Sequence, residues 1–596
     1  MDLHDFFLGK SFDAYTYFGA HPLENGWVFR VYAPCCKEVY LIGDFNHWQP
    51  AKMSQIDLTG IYEIIISEGQ NFDCYKYRIV QKDGKVLDRS DPYGYMSELR
   101  PHNASRLINL NHYVFHDTSY QHQPKPLNIY ELHLGSWLRN KEGQWLNYRD
   151  LVEPLISYVK EMGYTHIEIM PLQEHPSDDS WGYQVSNFYA ITSRYGNVYD
   201  FMYLVDRLHQ ENIGVILDVV VVHFAVNDFA LFKFDGTALY EFDHHDIGYS
   251  EWGSYNFNYY RKEVCSFMQS SIAFLIETYH LDGVRMDAIN NLIYWQGDRS
   301  RGINEGAIDF IQTMNKGLHE KYHDVLLIAE DSSNYLNVTH HKGLDFDYKW
   351  DLGWMNDTLK WFSLHPEQRV QNFNLLTFSM HYFYNEKYLL VLSHDEVVHG
   401  KKTILDKMYG DYAEKFRQVK MLYLYMMSHP GGKLNFMGNE IGHFREWDEK
   451  RSQDWELLNY QTHQQLQRFC RDLNKVYQYY TCLYQDDLDY HSFSWILKDY
   501  PDGVFGIVRE NHHEMICLLF NFSLETRVYR YCNDAVAKTI LNTNDTIYGG
   551  EIEFLNQKNY ANHDIIVLEK SSALMLNIQK EGGKYEEDHP IFFKTW

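Results

Sequence analysis

Eight apolar, strand-like runs separated by helix-length stretches constrain this chain more than any other feature of it. They occupy residues 127–134, 166–172, 215–222, 283–287, 325–329, 344–350, 388–392 and 433–436. Short apolar runs that alternate with helices read as parallel strands covered on both faces. Between them Phe201, Leu204, Val205 and Leu208 recur at helical spacing, and Phe267, Ile272, Leu275 and Ile276 do so less regularly. Gly163 and Gly214 stand where helices should end. The pattern predicts a (β/α)8 TIM barrel, for which eight strands are the number required.

The flanks have a different rhythm. From about Gly26 to Ile108, short alternating segments such as Trp27-Val28-Phe29-Arg30-Val31-Tyr32 are punctuated by Gly-Asp, Asn-His and Asp-Gly turns, the signature of a small β-sandwich. A polar stretch with Pro124 and Pro126 follows it, and strand-like runs return after about Tyr490 with no long helix beyond. The chain of 596 residues is therefore expected to be multidomain. An N-terminal β-sandwich should cover 1–118, the barrel 119–489 and a C-terminal all-β domain 490–596. The stretch 581–587 is polar enough to predict mobility.

Composition narrows the partners. A net charge of −27 repels phosphate backbones and anionic lipid, so neither nucleic acid nor a membrane surface is expected, whereas a neutral polymer is unaffected. No apolar run approaches the length of a membrane span of about 18 residues. The start, Met1-Asp2-Leu3-His4-Asp5, lacks the basic and apolar segments of a secretory signal, which predicts a cytoplasmic protein. Eight scattered cysteines without CxxC spacing fit reduced thiols rather than staples or metal ligands.

In such a barrel the chemistry lies at the carboxy-terminal ends of the strands. There the sequence places Tyr183 after the second run, Asp218 and His223 around the third, Arg285 and Asp287 on the fourth, Glu330 after the fifth, and His394 with Asp395 after the seventh. A lone acid at a strand end is usually a helix cap or half of an ion pair. Three acids gathered at one mouth repel one another, an arrangement that structure alone does not favour. Glycosidic chemistry needs it: one carboxylate attacks the anomeric carbon while a protonated one donates to the leaving oxygen, the two lying about 5 Å apart when configuration is retained. Glu330 follows Leu326-Leu327-Ile328-Ala329, an apolar approach suited to a carboxyl that keeps its proton, and is expected to be the acid/base. Arg285 and Asp287 are two apart on a strand and share a face, so the guanidinium should hold Asp287 ionised as the nucleophile.

At this point the residues carry a likeness. Val284-Arg285-Met286-Asp287-Ala288, Ile328-Ala329-Glu330-Asp331, Leu392-Ser393-His394-Asp395-Glu396 and the segment from Asp218 to His223 resemble the four short sequence regions of the α-amylase superfamily. Ile129-Tyr130-Glu131-Leu132-His133-Leu134-Gly135-Ser136-Trp137, Glu174-His175-Pro176, Ser180-Trp181-Gly182-Tyr183-Gln184 and Asp395-Glu396-Val397-Val398-His399-Gly400-Lys401 resemble glycogen branching enzymes more than amylases. Gly43-Asp44-Phe45-Asn46-His47-Trp48 and Asp91-Pro92-Tyr93 resemble the carbohydrate-binding β-sandwich (module 48-like) of that family. The resemblance implies Asp287 as nucleophile, Glu330 as proton donor and Asp395 as transition-state stabiliser, with Tyr183, Asp218, His223, Arg285 and His394 lining the sugar subsite. It implies an α-1,4-glucan substrate, transfer to a 6-hydroxyl, and no metal or organic cofactor. A monomer or weak oligomer is expected.

Four stretches depart from the family pattern. Val219-Val220-Val221-Val222 stands where a Trp and a Pro are usual, Asn197-Val198 where Thr-Pro is common and Asn439 where Gly is common, and Tyr294-Trp295-Gln296-Gly297 diverges. The four valines suit a buried barrel strand. Two rival readings remain open: a hydrolase of the same superfamily, debranching or trehalose-releasing, and a glucan-binding scaffold without activity, which the intact acid set argues against.

Overall fold

The eight runs do form the strands of one closed, parallel barrel: Asn128–Leu132, His166–Ile169, Gly214–Val219, Gly283–Met286, Leu326–Ala329, Tyr348–Trp350, Tyr388–Leu392 and Gly432–Phe436. The computed structural model describes residues 1–553, 558–579 and 593–595, so the polar stretch 581–587 lies outside the described residues. The intervening helices include Val198–Gln210, which buries Phe201, Leu204, Val205 and Leu208, and Lys262–Tyr279, which buries Phe267, Ile272, Leu275 and Ile276.

Two expectations are corrected. The third strand stops at Val219, and Val220, Val221 and Val222 lie beyond it, although all four valines are buried. Their carbonyls leave the barrel ladder for other donors: the Tyr259 hydroxyl reaches Val221 O at 2.5 Å and the Phe257 amide reaches Val222 O at 3.1 Å. Gly163 does end a helix, at φ +72° after Tyr148–Met162. Gly214 does not; the helix stops at Gln210, Asn212 takes the left-handed position at φ +58°, and Gly214 opens the third strand. Asparagine tolerates that conformation through local hydrogen bonding, so glycine is not needed there.

The chain divides into two compact units, one of residues 1–122, 133–156 and 168–348, the other of residues 123–132, 157–167 and 349–596. In the first unit the N-terminal sandwich pairs a sheet ordered Gly19–Leu23, Gly26–Tyr32, Ile61–Ile66, Ser54–Gln55 with one ordered Ala51–Lys52, Glu38–Gly43, Cys74–Val80, Val86–Arg89. Buried Asp91 accepts hydrogen bonds from Tyr75 (2.7 Å) and Tyr77 (3.1 Å) in its core. A helix that the sequence did not announce, Leu3–Leu8, is capped by Asp2 and lies against Lys262–Tyr279, where Ser266 Oγ donates to Phe6 O at 2.8 Å. The polar segment after the sandwich is also fastened: Tyr113 donates to Asp206, and His209 sits between Asp117 (2.9 Å) and Asp282 (3.0 Å).

In the second unit the C-terminal strands form a six-stranded sheet, ordered Phe493–Asp499, Val504–Glu510, Met515–Asn521, Ser572–Gln579, Val536–Asn542, Asn559–Tyr560, and a three-stranded one, ordered Ile565–Leu568, Arg527–Tyr531, Phe593–Thr595. Cys517, Leu519 and Leu576 of the first pack with Tyr529, Tyr531 and Ile566 of the second in a single buried core. This is the expected all-β domain.

Candidate active site

Strand register brings the first group together. Asp218 on the third strand is the partner of Arg285 on the fourth, and Met286 there is the partner of Ala329 on the fifth. Asp287 and Glu330 each stand one residue past those partners, on neighbouring strands that are spaced about 4.8 Å apart. Arg285, fully buried, is the hub: its Nη1 donates to Asp218 Oδ1 (2.9 Å), Asp218 Oδ2 (2.8 Å) and Asp287 Oδ1 (2.8 Å), and its Nη2 lies 3.9 Å from Glu330 Oε2. The sequence anticipated the pairing with Asp287. It missed that the same nitrogen serves Asp218, so that one guanidinium is shared among three acids.

Burial acts strongly on Asp218. Loss of water pushes its carboxyl up to about 7 and the neighbouring Asp287 charge adds to the rise, against the pull of Arg285 and of the Tyr183 hydroxyl. Tyr183 donates to Asp218 Oδ2 at 2.7 Å. It is delivered by a tight turn at Gly182, φ +99°, where a Cβ would lie 2.3 Å from Pro171 O. Only glycine fits that approach.

The turn after Asp287 is strained and held. Ala288 takes φ +50° and ψ +42°, a region that costs a non-glycine residue roughly 1–2 kcal/mol. Glu330 answers for it: the Ala288 amide donates to Glu330 Oε2 at 2.8 Å and the Ile289 amide to Glu330 O at 2.8 Å. The nucleophile candidate and the acid candidate are thus joined through backbone as well as through Arg285. The side chains of Asp287 and Glu330 each remain 18% exposed, which leaves both reachable by a ligand.

His223 belongs to a short strand, His223–Phe224, paired with Tyr255–Asn256. It is buried, and burial alone lowers its imidazole to about 4, so it is neutral at pH 7. Its Nδ1 has no hydrogen-bond partner among the described residues. Its ring lies 5.0 Å from that of Trp252, a half-exposed indole on a Gly-Ser loop which sequence reasoning passed over. Gln184 of the Trp181-Gly182-Tyr183-Gln184 segment donates to Trp252 O at 2.8 Å and anchors that loop.

His394 and Asp395 form a second group, in the other unit, directly after the strand Tyr388–Leu392. His394 is buried, with Nδ1 2.5 Å from Glu131 Oε1 and its backbone N–H donating to Glu131 Oε2 at 3.0 Å. Its Nε2 lies 3.5 Å from Asp395 Oδ1, and the Asp395 side chain is half exposed. In the sequence Glu131 stands out only as part of a motif. The signal was present in that an acid inside a buried strand must have a partner.

The departures are accommodated locally. Asn197 caps the helix Val198–Gln210 through Tyr199 N and Asp200 N, the task a threonine would do. Asn439 Nδ2 donates to Leu392 O (3.0 Å) and Asn435 Oδ1 (3.2 Å), tying the ends of the seventh and eighth strands. Gln296 Nε2 bonds Asp246 O and Tyr249 O, and Trp295 packs against Phe242 and Tyr260. Glu174, quoted above in Glu174-His175-Pro176, is the ion-pair partner of buried Arg194 at 2.9 Å.

Known proteins match this arrangement along its length. The family model described as carbohydrate-binding module 48 (isoamylase N-terminal domain) matches residues 17–94, and that of the α-amylase catalytic domain matches 151–252. A protein of Fusobacterium nucleatum named 1,4-alpha-glucan branching enzyme GlgB is 41% identical over 97% of this chain and 99% of its own. Proteins of the same name from Bacillus subtilis (40% identical; 92% and 91% covered) and Geobacillus stearothermophilus (41%; 89% and 86%) are also similar. Among solved structures, a putative α-amylase from Salmonella typhimurium superposes with a TM-score of 0.73 at 18% identity, covering 94% of this chain and all of that one. A pullulanase from Anoxybacillus superposes at 0.77 with 16% identity, covering 96% and 89%. The structural likenesses establish the fold; the sequence likenesses reach further.

Proposed function

The chain belongs to the 1,4-alpha-glucan branching enzyme family of the α-amylase superfamily and so transfers a cut α-1,4-glucan chain to a 6-hydroxyl, and we propose that Asp287, Glu330 and Asp395 carry out that transfer. Asp287 attacks the anomeric carbon and Glu330 protonates the leaving oxygen, giving a glycosyl ester on Asp287. Glu330 then takes the proton from the 6-hydroxyl of an acceptor chain, which displaces Asp287 with the configuration retained. Asp395 hydrogen-bonds the sugar most strongly as its ring flattens in the transition state.

The single observation that supports these roles best is the shared guanidinium. Arg285 Nη1 donates to Asp287 Oδ1, a charge-assisted bond that favours the carboxylate form and aims it. Glu330 Oε2 is already an acceptor for the Ala288 amide, so the transferable proton rides on Oε1. Tyr183, Asp218, His223 and His394 complete the subsite in this reading, with Nδ1 of neutral His223, which has no partner among the described residues, suited to a sugar hydroxyl. Residues 1–118 and 490–596 are read as domains flanking the catalytic 119–489. The eight cysteines, all free thiols, favour a cytoplasmic enzyme. A monomer or weak oligomer is the proposed state.

Transfer and hydrolysis share the covalent intermediate and differ in what attacks it. For a sugar hydroxyl to outrun water, an acceptor chain must be bound beside Asp287 at high effective concentration. Trp181 and Trp295 are proposed as its stacking platforms. Incubated with amylose, the protein should lower iodine staining and form α-1,6 linkages while reducing ends stay nearly constant. Reducing ends that rise in step with the loss of staining would make it a hydrolase.

A further inference from the structure

Glu131 is a buried acid that the three-carboxylate reading leaves without work. It projects from the first barrel strand, Asn128–Leu132, is 1% exposed, and spends both oxygens on one residue, His394. The backbone amide of His394 can only donate, so Oε2 is fixed as its acceptor. An ionised carboxylate only accepts, so with Glu131 charged Oε1, at 2.5 Å, makes Nδ1 a donor as well, whichever charge the ring carries. Nε2 is left as the ring atom whose proton can change, and it faces Asp395 Oδ1 at 3.5 Å. The rings of Phe436 and Trp447 lie 6.0 Å and 6.3 Å from the imidazole, and both His394 and Glu131 are buried.

We propose that Glu131 is a positioning residue for glucan transfer, locking His394 in the Nδ1–H form so that Nε2 is presented to the sugar beside Asp395. This inference rests on the reading that His394 and Asp395 serve the sugar subsite. It gives the first strand a task in the chemistry, and it explains why a carboxylate is kept inside a strand whose other residues, Asn128, Ile129, Tyr130 and Leu132, are equally buried.

The substitution Glu131→Gln separates this from plain packing, because it preserves shape and changes one acceptor into a donor. The backbone amide must keep the Gln oxygen, so the Gln NH2 faces Nδ1 and forces the Nε2–H tautomer. Expected are a fall in kcat of about a hundredfold, an altered pH profile of kcat/KM, and little change in glucan affinity. In the His394→Ala background the same substitution should cost nothing further, since residues acting as a unit are not additive. Full additivity in that cycle, or a Glu131→Gln enzyme within about threefold of wild-type kcat, overturns the inference. If His394→Ala and Asp395→Asn are themselves fully active, the subsite reading fails instead. Should Glu131→Gln not fold, Glu131→Asp carries the test: the charge stays but the carboxylate retreats by one methylene, and kcat must fall with the thermal midpoint kept. An Asp variant with wild-type kcat also overturns the proposal.

Discussion

At the scale of single residues, the positions of the acids at the strand ends were legible because their neighbours in sequence announced them, while the shared counterion was not. Arg285 lies two residues before Asp287 and the pairing could be read from strand periodicity. Its bonds to Asp218, 67 residues away, depend on register between strands, which sequence spacing does not encode. The partner of Glu131 was unreadable in the same way, lying 263 residues distant. Asp287→Asn and Glu330→Gln should each abolish turnover while amylose binding and the thermal midpoint persist, because nearly isosteric swaps remove only nucleophilicity or proton donation. Residual activity within about tenfold of wild type would reassign the roles. Arg285→Lys should also fail, by about a hundredfold in kcat, because an ammonium on a shorter reach cannot hold Asp218 and Asp287 in a planar fork. Steady-state kinetics on amylose that show a fully active Lys variant would refute the shared-counterion account.

At the scale of elements, strands and long amphipathic helices were visible in the sequence, and the connections that fasten them were not. The segment of residues 113–122, which leads into the polar stretch with Pro124 and Pro126, is bound into a buried ionic cluster. His209, 2% exposed, lies between Asp117 and Asp282; Tyr120 donates to Asp282 and stacks on the His209 ring at 4.1 Å, and His280 bonds Asp117. Burial alone lowers the His209 pKa, but the hydrogen bonds to the two carboxylates outweigh it and hold the ring at about 9, while Asp117 is held at about 2 against its own desolvation. A raised histidine contributes stability in full below its ordinary 6.5 and loses it as pH climbs through about 9. A depressed aspartate contributes above its ordinary 3.8 and loses it as pH falls through about 2. The cluster should therefore be strongest between about pH 4 and 6.5. His209→Gln strands two buried carboxylates and should destabilise the protein by about 3 kcal/mol at neutral pH. Thermal midpoints from pH 7 to 10 should then fall more steeply in wild type than in His209→Gln. Parallel curves would mean that the cluster does not titrate as described.

At the scale of the whole molecule, a sandwich, a barrel and a second all-β domain were legible from the change of hydrophobic period alone, whereas their mutual dependence was not. Period reports which face of an element is covered, never by what. The short helix Leu3–Leu8 escaped notice because six residues with one buried phenylalanine carry no period to detect. Within its unit the last domain is joined to the barrel helices by buried charge and aromatic rings. Arg509, fully buried on the strand Val504–Glu510, donates to Ser428 O (3.1 Å) at the end of the helix Tyr412–Ser428 and to Asp487 (2.7 Å). From that helix Lys420, which burial brings down to about 8, donates to Thr543 O (3.0 Å) and Tyr548 O (2.7 Å). Phe522 meets Trp361 edge-on at 4.7 Å. Cutting the chain after Asp489 would strip Lys420 of both acceptors and bare Trp361, so the shortened protein should be insoluble on expression. A point change tests the joint without the cut: Arg509→Met leaves Asp487 unpaired and should cost about 3 kcal/mol. Calorimetry should show this as a midpoint several degrees lower, while kcat on amylose stays near wild type because Arg509 lies outside the proposed catalytic set. A soluble chain ending at residue 489 with wild-type turnover would show that the all-β domain is an accessory after all, and that the barrel's own helices can hide Lys420 and Trp361 unaided.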